Sequence, residues 1–234
     1  SGHRMPLAVE NLAFAYPGAD VPLFSRVSFR LAEPGFHSFF GPSGVGKTTL
    51  ARIIAGNIAA SSGEIAAGDL SRSLYSHNKE RLPGWSGVAR HLARVVPPAM
   101  HGRMAELIDI FGLGDCIDCT IWKLSMGQQN RVNLIRYLLQ DCDLLTMDES
   151  LANVDERTRE KIILAIKAMF PQRYFIYISH NVIEVAKFCQ DILVFRGRGK
   201  QPQTALVRGC DMRRAGEFSR AALDVTLLEI MNAA

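Results

Sequence analysis

The stretch Gly41-Pro42-Ser43-Gly44-Val45-Gly46-Lys47-Thr48-Thr49 decides how the rest of the chain is read. Its first eight residues match the spacing G-x-x-x-x-G-K-[ST]. Glycines allow a tight loop whose backbone N–H groups converge on phosphate oxygens. Such a loop runs into a helix N-terminus, which carries about half a positive charge. The Lys47 ammonium adds a point charge for the outer phosphates, and the Thr48 hydroxyl is a ligand for Mg2+. The flanks suit this reading. Phe36 to Phe40 is a short, mostly apolar run that reads as a buried strand, and Lys47 to Ala55 reads as a helix. The competing reading is a glycine-rich turn that happens to hold a lysine.

The next chemical signal lies about a hundred residues on. Asp143 to Met147 is apolar enough for a buried strand, and Asp148-Glu149 follows it. Open parallel sheets bind ligands beyond the carboxyl ends of their strands. Successive strand side chains point opposite ways, so the two carboxylates divide the labour. Asp148 is expected to hold Mg2+ and Glu149 to polarise the attacking water. Read alone, the pair is equally a solvated start to a loop.

Between and around these signals, strands and helices alternate. Strands are expected at Leu7 to Tyr16, Leu23 to Leu31, Glu64 to Ala67, Ser73 to Ser76, Tyr174 to Ile178 and Ile192 to Phe195. In the first of them Leu12, Phe14 and Tyr16 fall on one face. Residues 84–123 change character, with helical segments at Val88 to Val96 and Met104 to Phe111 broken by Pro97-Pro98 and several glycines. Helices follow at 126–140, Glu156 to Met169 and Val182 to Phe188, with a helical tail at Glu217 to Met231. The alternation predicts an α/β fold with a mostly parallel sheet covered on both faces.

Composition narrows the class. The 234 residues suffice for one α/β domain. A hydrophobic share of 48% against 21% charged residues excludes a disordered chain. No apolar run approaches the roughly 20 residues of a membrane-spanning helix. The net charge of +4 is mild, and no Lys/Arg block of the kind that tracks nucleic acid is present. The basic stretch Arg196-Gly-Arg-Gly-Lys200 reads as a solvated turn. An odd count of five cysteines points to reduced thiols, and Cys116-x-x-Cys119 lacks the second pair that a structural zinc site needs. Ser1-Gly2-His3 reads as a cloning remnant before a native start at Met5.

Phosphate loops serve kinases, GTPases, helicases and transporters alike, so the class is decided elsewhere. Leu124-Ser125-Met126-Gly127-Gln128 resembles the signature L-S-G-G-Q of ABC ATPases. It opens a helix upstream of Asp148, as in that family. Other family elements appear in order. Tyr16 is similar to the aromatic that stacks on adenine, Ala152-Asn153-Val154-Asp155 resembles the D-loop, and His180 resembles the switch histidine. Asp155 also suits a helix N-cap. The short Leu82-Pro83-Gly84-Trp85 is similar to a segment of nitrate, sulfonate and taurine importer ATPases.

The resemblance implies a P-loop (RecA-like) α/β core at about 6–76 and 124–210 with an antiparallel β edge from the N-terminal strands, a helical sub-domain at about 77–123 and a C-terminal helical tail at about 211–234. It implies ATP and Mg2+ as cofactors and an ATPase subunit of an importer of small solutes. ATP is expected on Tyr16, Gly41, Ser43, Gly44, Val45, Gly46, Lys47, Thr48 and Thr49 of one copy and on Ser125, Gly127 and Gln128 of the other. Glu149, His180 and Lys47 form the expected catalytic set. The implied partners are a second copy with ATP at the interface, transmembrane permease subunits and a periplasmic solute-binding protein. The implied location is cytoplasmic, on the inner face of the membrane.

The chain also departs from the family pattern. His77 stands where the family has a Mg2+-ligating Gln, so Thr48, Asp148, His77 and Asn78 make up the expected metal set, with Asn78 or a water on His77 taking the missing amide's role. Mg2+ prefers oxygen, which makes imidazole a poor substitute. Met126 replaces a glycine, Asn130 replaces a longer polar residue and Ser150 a proline. A nucleotide-binding regulatory module with weak turnover and a small-molecule P-loop kinase remain the alternatives.

Overall fold

The computed structural model describes residues 7–66, 72–197, 200–217 and 219–234. Ser1 to His3, Met5, Ala67, Arg198 and Gly199 lie outside the described residues. The chain begins with β1 (Leu7–Phe14), β2 (Phe24–Leu31), β3 (Gly35–Phe40), α1 (Lys47–Ile54), β4 (Ser62–Ala66) and β5 (Ser73–His77). Three helices follow, α2 (Val88–Val95), α3 (His101–Ile110) and α4 (Met126–Leu138). The remainder is β6 (Leu144–Asp148), α5 (Glu156–Met169), β7 (Tyr174–Ile178), α6 (Val182–Phe188), β8 (Asp191–Phe195), β9 (Thr204–Arg208) and α7 (Arg220–Ala233).

The strands form two sheets. The six-stranded sheet has the order β5-β6-β7-β3-β8-β9. Its centre is parallel, with β3 paired to both β7 and β8. Strands β6, β7 and β8 are buried along their whole length, which is why they read as mostly apolar runs without alternation. Strand β9 closes one edge antiparallel to β8 and was not anticipated. Only Thr204 and Val207 of its five residues are buried, too few to print a period in the sequence.

The N-terminal strands do not extend that sheet. They make a separate antiparallel sheet of order β2-β1-β4. The period of β1 breaks between Val9 and Leu12, where the register with β2 shifts. Asn11 takes a left-handed φ of 48° there, and its N–H donates to Ser28 Oγ at 2.9 Å. The extra residue rephases the strand so that Leu7, Val9, Leu12 and Phe14 are all buried. Tyr16 lies beyond the strand end and is 54% exposed, so it does not share the buried face of Leu12 and Phe14.

The chain divides into two compact units. The first comprises residues 1–75, 142–146 and 171–234. Its core joins Phe24 and Phe29 of β2, Phe39 of β3, Leu50 of α1 and Phe195 of β8. Phe29 meets Phe39 edge to face at 5.6 Å. Each such ring contributes roughly 1.5–3 kcal/mol by leaving water. One polar staple interrupts this core. His37 of β3 is fully buried and lies between the Glu33 carbonyl oxygen, 3.0 Å from Nε2, and Asp191 Oδ2, 3.1 Å from Nδ1. Arg208 of β9 donates to the other Asp191 oxygen at 2.7 Å.

The second unit comprises residues 76–141 and 147–170, and so extends past the 77–123 expected for the helical region. The reason is packing: α2 and α3 contact α4, and α3 also contacts α5. Leu92, Leu107, Val132, Ile135 and Ile163 are all fully buried. Helix α2 stops at Val95 because Pro97 and Pro98 remove donors and bias the preceding residue to extended backbone. Asp155 caps α5, its carboxylate accepting from the Thr158 N–H at 2.9 Å, and that bond lowers the Asp155 pKa.

Candidate functional site

The Gly41–Thr49 loop runs directly from β3 into α1. Gly46 is the N-cap, at φ 113°, and a Cβ there would sit 2.7 Å from a ring carbon of Phe24. Only glycine meets both conditions. The helix start carries no side-chain cap. Lys47 is 6% exposed and lies back along the loop, donating to the Gly41 and Pro42 carbonyls at 2.7 Å each. Val45 and Thr49 are buried, while Ser43, Gly44 and Thr48 are exposed.

A cavity of ≈ 390 Å³ opens here, lined by Tyr16, Leu23, Gly44, Gly46, Lys47, Thr48 and Thr49. Its volume falls in the ordinary range of ligand sites. The Tyr16 ring is held in place at two points. Its hydroxyl pairs with Thr49 Oγ1 at 3.1 Å, and its ring meets Phe14 edge-on at 5.0 Å. The structure thus brings Tyr16 and the phosphate loop together on one cavity.

The second unit carries the carboxylates. Asp148 ends β6 and is buried. Glu149 has a φ of 51°, a strained conformation for a residue with a side chain, at a cost on the order of 1–3 kcal/mol. Asn78 Nδ2 donates to Glu149 Oε2 at 3.0 Å. A carboxylate accepts only donors, so the NH2 end of Asn78 faces it and the amide oxygen is the end left for a cation. His77 accepts the Lys79 N–H on Nδ1 at 3.2 Å. With Nδ1 accepting, the neutral ring carries its proton on Nε2. Ser150, in place of proline, pairs with Ser76 Oγ at 3.2 Å and so ties the loop after β6 to β5.

Ser125 and Gln128 form a capping box at the tip of α4. Ser125 Oγ accepts the Gln128 N–H at 3.2 Å, and Gln128 Oε1 accepts the Ser125 N–H at 2.9 Å. The Ser125 hydroxyl proton is left to donate outward. Gly127 is buried, and a Cβ there would sit 2.8 Å from the Asn153 carbonyl oxygen. Met126 between them is 67% exposed and touches solvent, not core.

His180 follows β7 and is exposed. The turn that carries it is held from below. The Ser179 hydroxyl donates to Glu184 Oε2 at 2.8 Å, Tyr177 donates to the same oxygen at 2.7 Å, and Asn181 caps α6.

A profile described as ABC transporter matches residues 24–152. The chain belongs to the ABC transporter family. It is 34% identical over 213 residues to the taurine import ATP-binding protein TauB of Ruegeria pomeroyi, covering 82% of this chain and 78% of that protein. It is 32% identical over 183 residues to the molybdenum import ATP-binding protein ModC of Brucella melitensis, covering 70% and 51%. Among solved structures, a bacterial Atm1-family ABC exporter with ATP bound superposes with a TM-score of 0.70 at 21% identity, covering 84% of this chain and 38% of the exporter. That likeness supports the fold alone. This ABC chain is an ATP-binding, ATP-hydrolysing member of the family.

Each unit by itself carries oxygen donors of the kind a hard cation takes. Thr48 and Asp148 offer a hydroxyl and a carboxylate, and Asn78 offers an amide oxygen. Among the described residues no group of three or more His, Cys, Asp or Glu side chains gathers around a metal site. Mg2+ takes most of its ligands from water and phosphates and needs only one or two from protein. Two carboxylates escaped the sequence reading, Glu184 under the turn that carries His180 and, in the second unit, Glu80 beside α4. Both act through side-chain hydrogen bonds that leave no motif.

Proposed function

We propose that this ABC chain is the ATP-driven motor subunit of an importer of small solutes. The observation that carries the reading is the shared cavity of Tyr16 and the Gly41–Thr49 loop, a base reader and a phosphate cradle at one site. Import is supported by the relatives, which are import ATP-binding proteins for taurine and molybdenum. Among the described residues no helix is long and apolar enough to cross a membrane. The proposal therefore assigns membrane passage to separate permease subunits, with the chain on the cytoplasmic face and a periplasmic solute-binding protein delivering the cargo.

In this reading Tyr16 stacks on the base and the loop N–H groups grip the phosphates. Lys47 leaves its two carbonyl partners to meet the outer phosphate oxygens. Thr48, Asp148 and Asn78 would supply oxygen ligands to Mg2+, which would offset phosphate charge when bound. A second copy closes over the nucleotide with Ser125, Gly127 and Gln128, whose helix tip favours an anion. Glu149 takes a proton from the attacking water, and His180 orients the γ-phosphate across the interface. Because the γ-phosphate binds the closed pair better than the open one, its loss reopens the dimer.

The test is the Glu149→Gln variant with Mg-ATP. Gel filtration should show a stable dimer that retains ATP, while wild-type protein hydrolyses and dissociates. A variant that stays monomeric at saturating Mg-ATP removes the sandwich mechanism.

A further inference from the structure

A carboxylate outside the motifs ties two parts of the site together. Glu80 ends a tight turn that begins at the end of β5, where its own N–H donates to the His77 carbonyl at 3.3 Å and the Lys79 N–H donates to His77 Nδ1 at 3.2 Å. From that turn Glu80 accepts three side chains of α4. Asn133 donates to Oε2 at 3.0 Å, Tyr137 to Oε2 at 2.8 Å, and Arg136 pairs with Oε1. Positions 133, 136 and 137 are spaced i, i+3, i+4 and so share one face of the helix. On the other side of the same turn, Asn78 holds Glu149.

These contacts close a ring within the second unit. Glu149 leads by a turn to Asn153, whose carbonyl packs against Gly127 at the tip of α4. Helix α4 leads back to Glu80, Glu80 to Asn78, and Asn78 to Glu149. Removing Glu80 would open this ring on the α4 side. We propose that Glu80 is a positioning residue, clasping α4 so that the Glu149 carboxylate and the Ser125–Gln128 tip hold one fixed geometry. The proposal rests on the roles given above to Glu149 and to that tip.

A stability role alone is a poor account of the clasp. The Arg136 and Glu80 side chains are 24% and 23% exposed, so water still screens part of their attraction. Three donors converging on one carboxylate specify a position instead. The protonation states agree. Burial alone would raise the Glu80 pKa, but the bonds from Asn133 and Tyr137 and the charge and bond of Arg136 outweigh it and keep the carboxylate ionised. Burial and the Glu80 charge push the Tyr137 phenol up to about 12, so it stays a donor.

The test is steady-state hydrolysis and ATP affinity of the full chain carrying Glu80→Gln, which keeps the shape and loses the charge. The expected result is kcat lowered about five-fold or more, with the Kd for a fluorescent ATP analogue within about two-fold of wild type. Tyr137→Phe, which removes one arm and little volume, should give a smaller fall of the same kind. The double variant should lose less than the product of the two, because both act through one clasp. If Glu80→Gln does not fold, the Tyr137→Phe comparison decides. Wild-type kcat in the folded variants overturns the proposal, as does a parallel loss of kcat and ATP affinity, which is the mark of general loosening. A wild-type chain that neither binds nor hydrolyses ATP is a different failure, of the motor reading itself.

Discussion

Asn78 and Glu149 face each other across 3.0 Å, amide nitrogen to carboxylate oxygen, although 71 residues of chain separate them. The bond gives the Asn78 position a role that a metal ligand does not need. It holds the carboxylate of the proposed base, whose own backbone is already strained at φ 51°. A base must lie within hydrogen-bond reach of the proton it takes, so orientation is part of its chemistry.

Asn78→Ala should therefore lower kcat for ATP hydrolysis by about 10-fold or more, since positioned proton transfer contributes on the order of 100-fold and above. ATP affinity measured without turnover should stay close to wild type. Asn78→Asp should be worse, because a second carboxylate beside Glu149 favours protonation of one of the pair. Turnover near normal in Asn78→Ala would release Asn78 from both proposed roles.

Lys47→Ala removes the ammonium that now bonds the Gly41 and Pro42 carbonyls. A charged hydrogen bond contributes about 1.5–3 kcal/mol, so ATP affinity should fall by about 10- to 100-fold. Isothermal titration with a non-hydrolysable ATP analogue checks this. Unchanged affinity would refute the cradle assignment. The fold should survive, because the Gly46 turn and the buried face of α1 do not depend on the ammonium.

Much of this site was legible before any coordinates. The phosphate loop is local: nine consecutive residues carry the turn, the charge and the hydroxyl, and their strand and helix flanks read from apolar runs. Asp148, Glu149 and the α4 tip are local in the same sense. What stayed hidden is non-local. Nothing near Glu80 in sequence announces Asn133, Arg136 and Tyr137, which lie 53 to 57 residues on. The tether of Tyr16 to Thr49 spans 33 residues. The bulge at Asn11 erased the simple alternation of β1, and the fold corrected the expected face of Tyr16. The bond from the Lys79 N–H to His77 Nδ1 is local, yet no sequence pattern announces it.

Gly127→Ala tests the close approach of α4 to the loop after Glu149. A Cβ placed 2.8 Å from the Asn153 carbonyl oxygen cannot be absorbed by a flexible side-chain end, because the opposing atom is backbone. Overpacking of this kind costs about 1–3 kcal/mol. The α4 tip should shift away from Asn153. ATP-driven dimer formation, followed by gel filtration in the Glu149→Gln background, should then need at least about 10-fold more ATP. Far-UV circular dichroism should be unchanged. Dimerisation at the wild-type ATP concentration would show that the tip tolerates the shift.

Asp191 gives the fold an acid-sensitive point outside the phosphate loop. Burial pushes its pKa up, but the hydrogen bond and charge of His37, together with those of Arg208, hold it below the ordinary value of 3.8. A depressed carboxylate contributes stability that is fully present above the unfolded-state value and is lost as pH falls through the folded one. The contribution should thus be intact at neutral pH and disappear below about pH 4. Asp191→Asn leaves His37 buried without its charged partner, and removing one member of a buried pair costs on the order of 3 kcal/mol. Calorimetry should show a lower Tm for the variant at pH 7. The gap to wild type should narrow as both are titrated down toward pH 3, because the wild-type protein loses there what the variant never had. A gap that stays constant across that range would mean the variant's penalty comes from packing around His37 and not from the Asp191 charge.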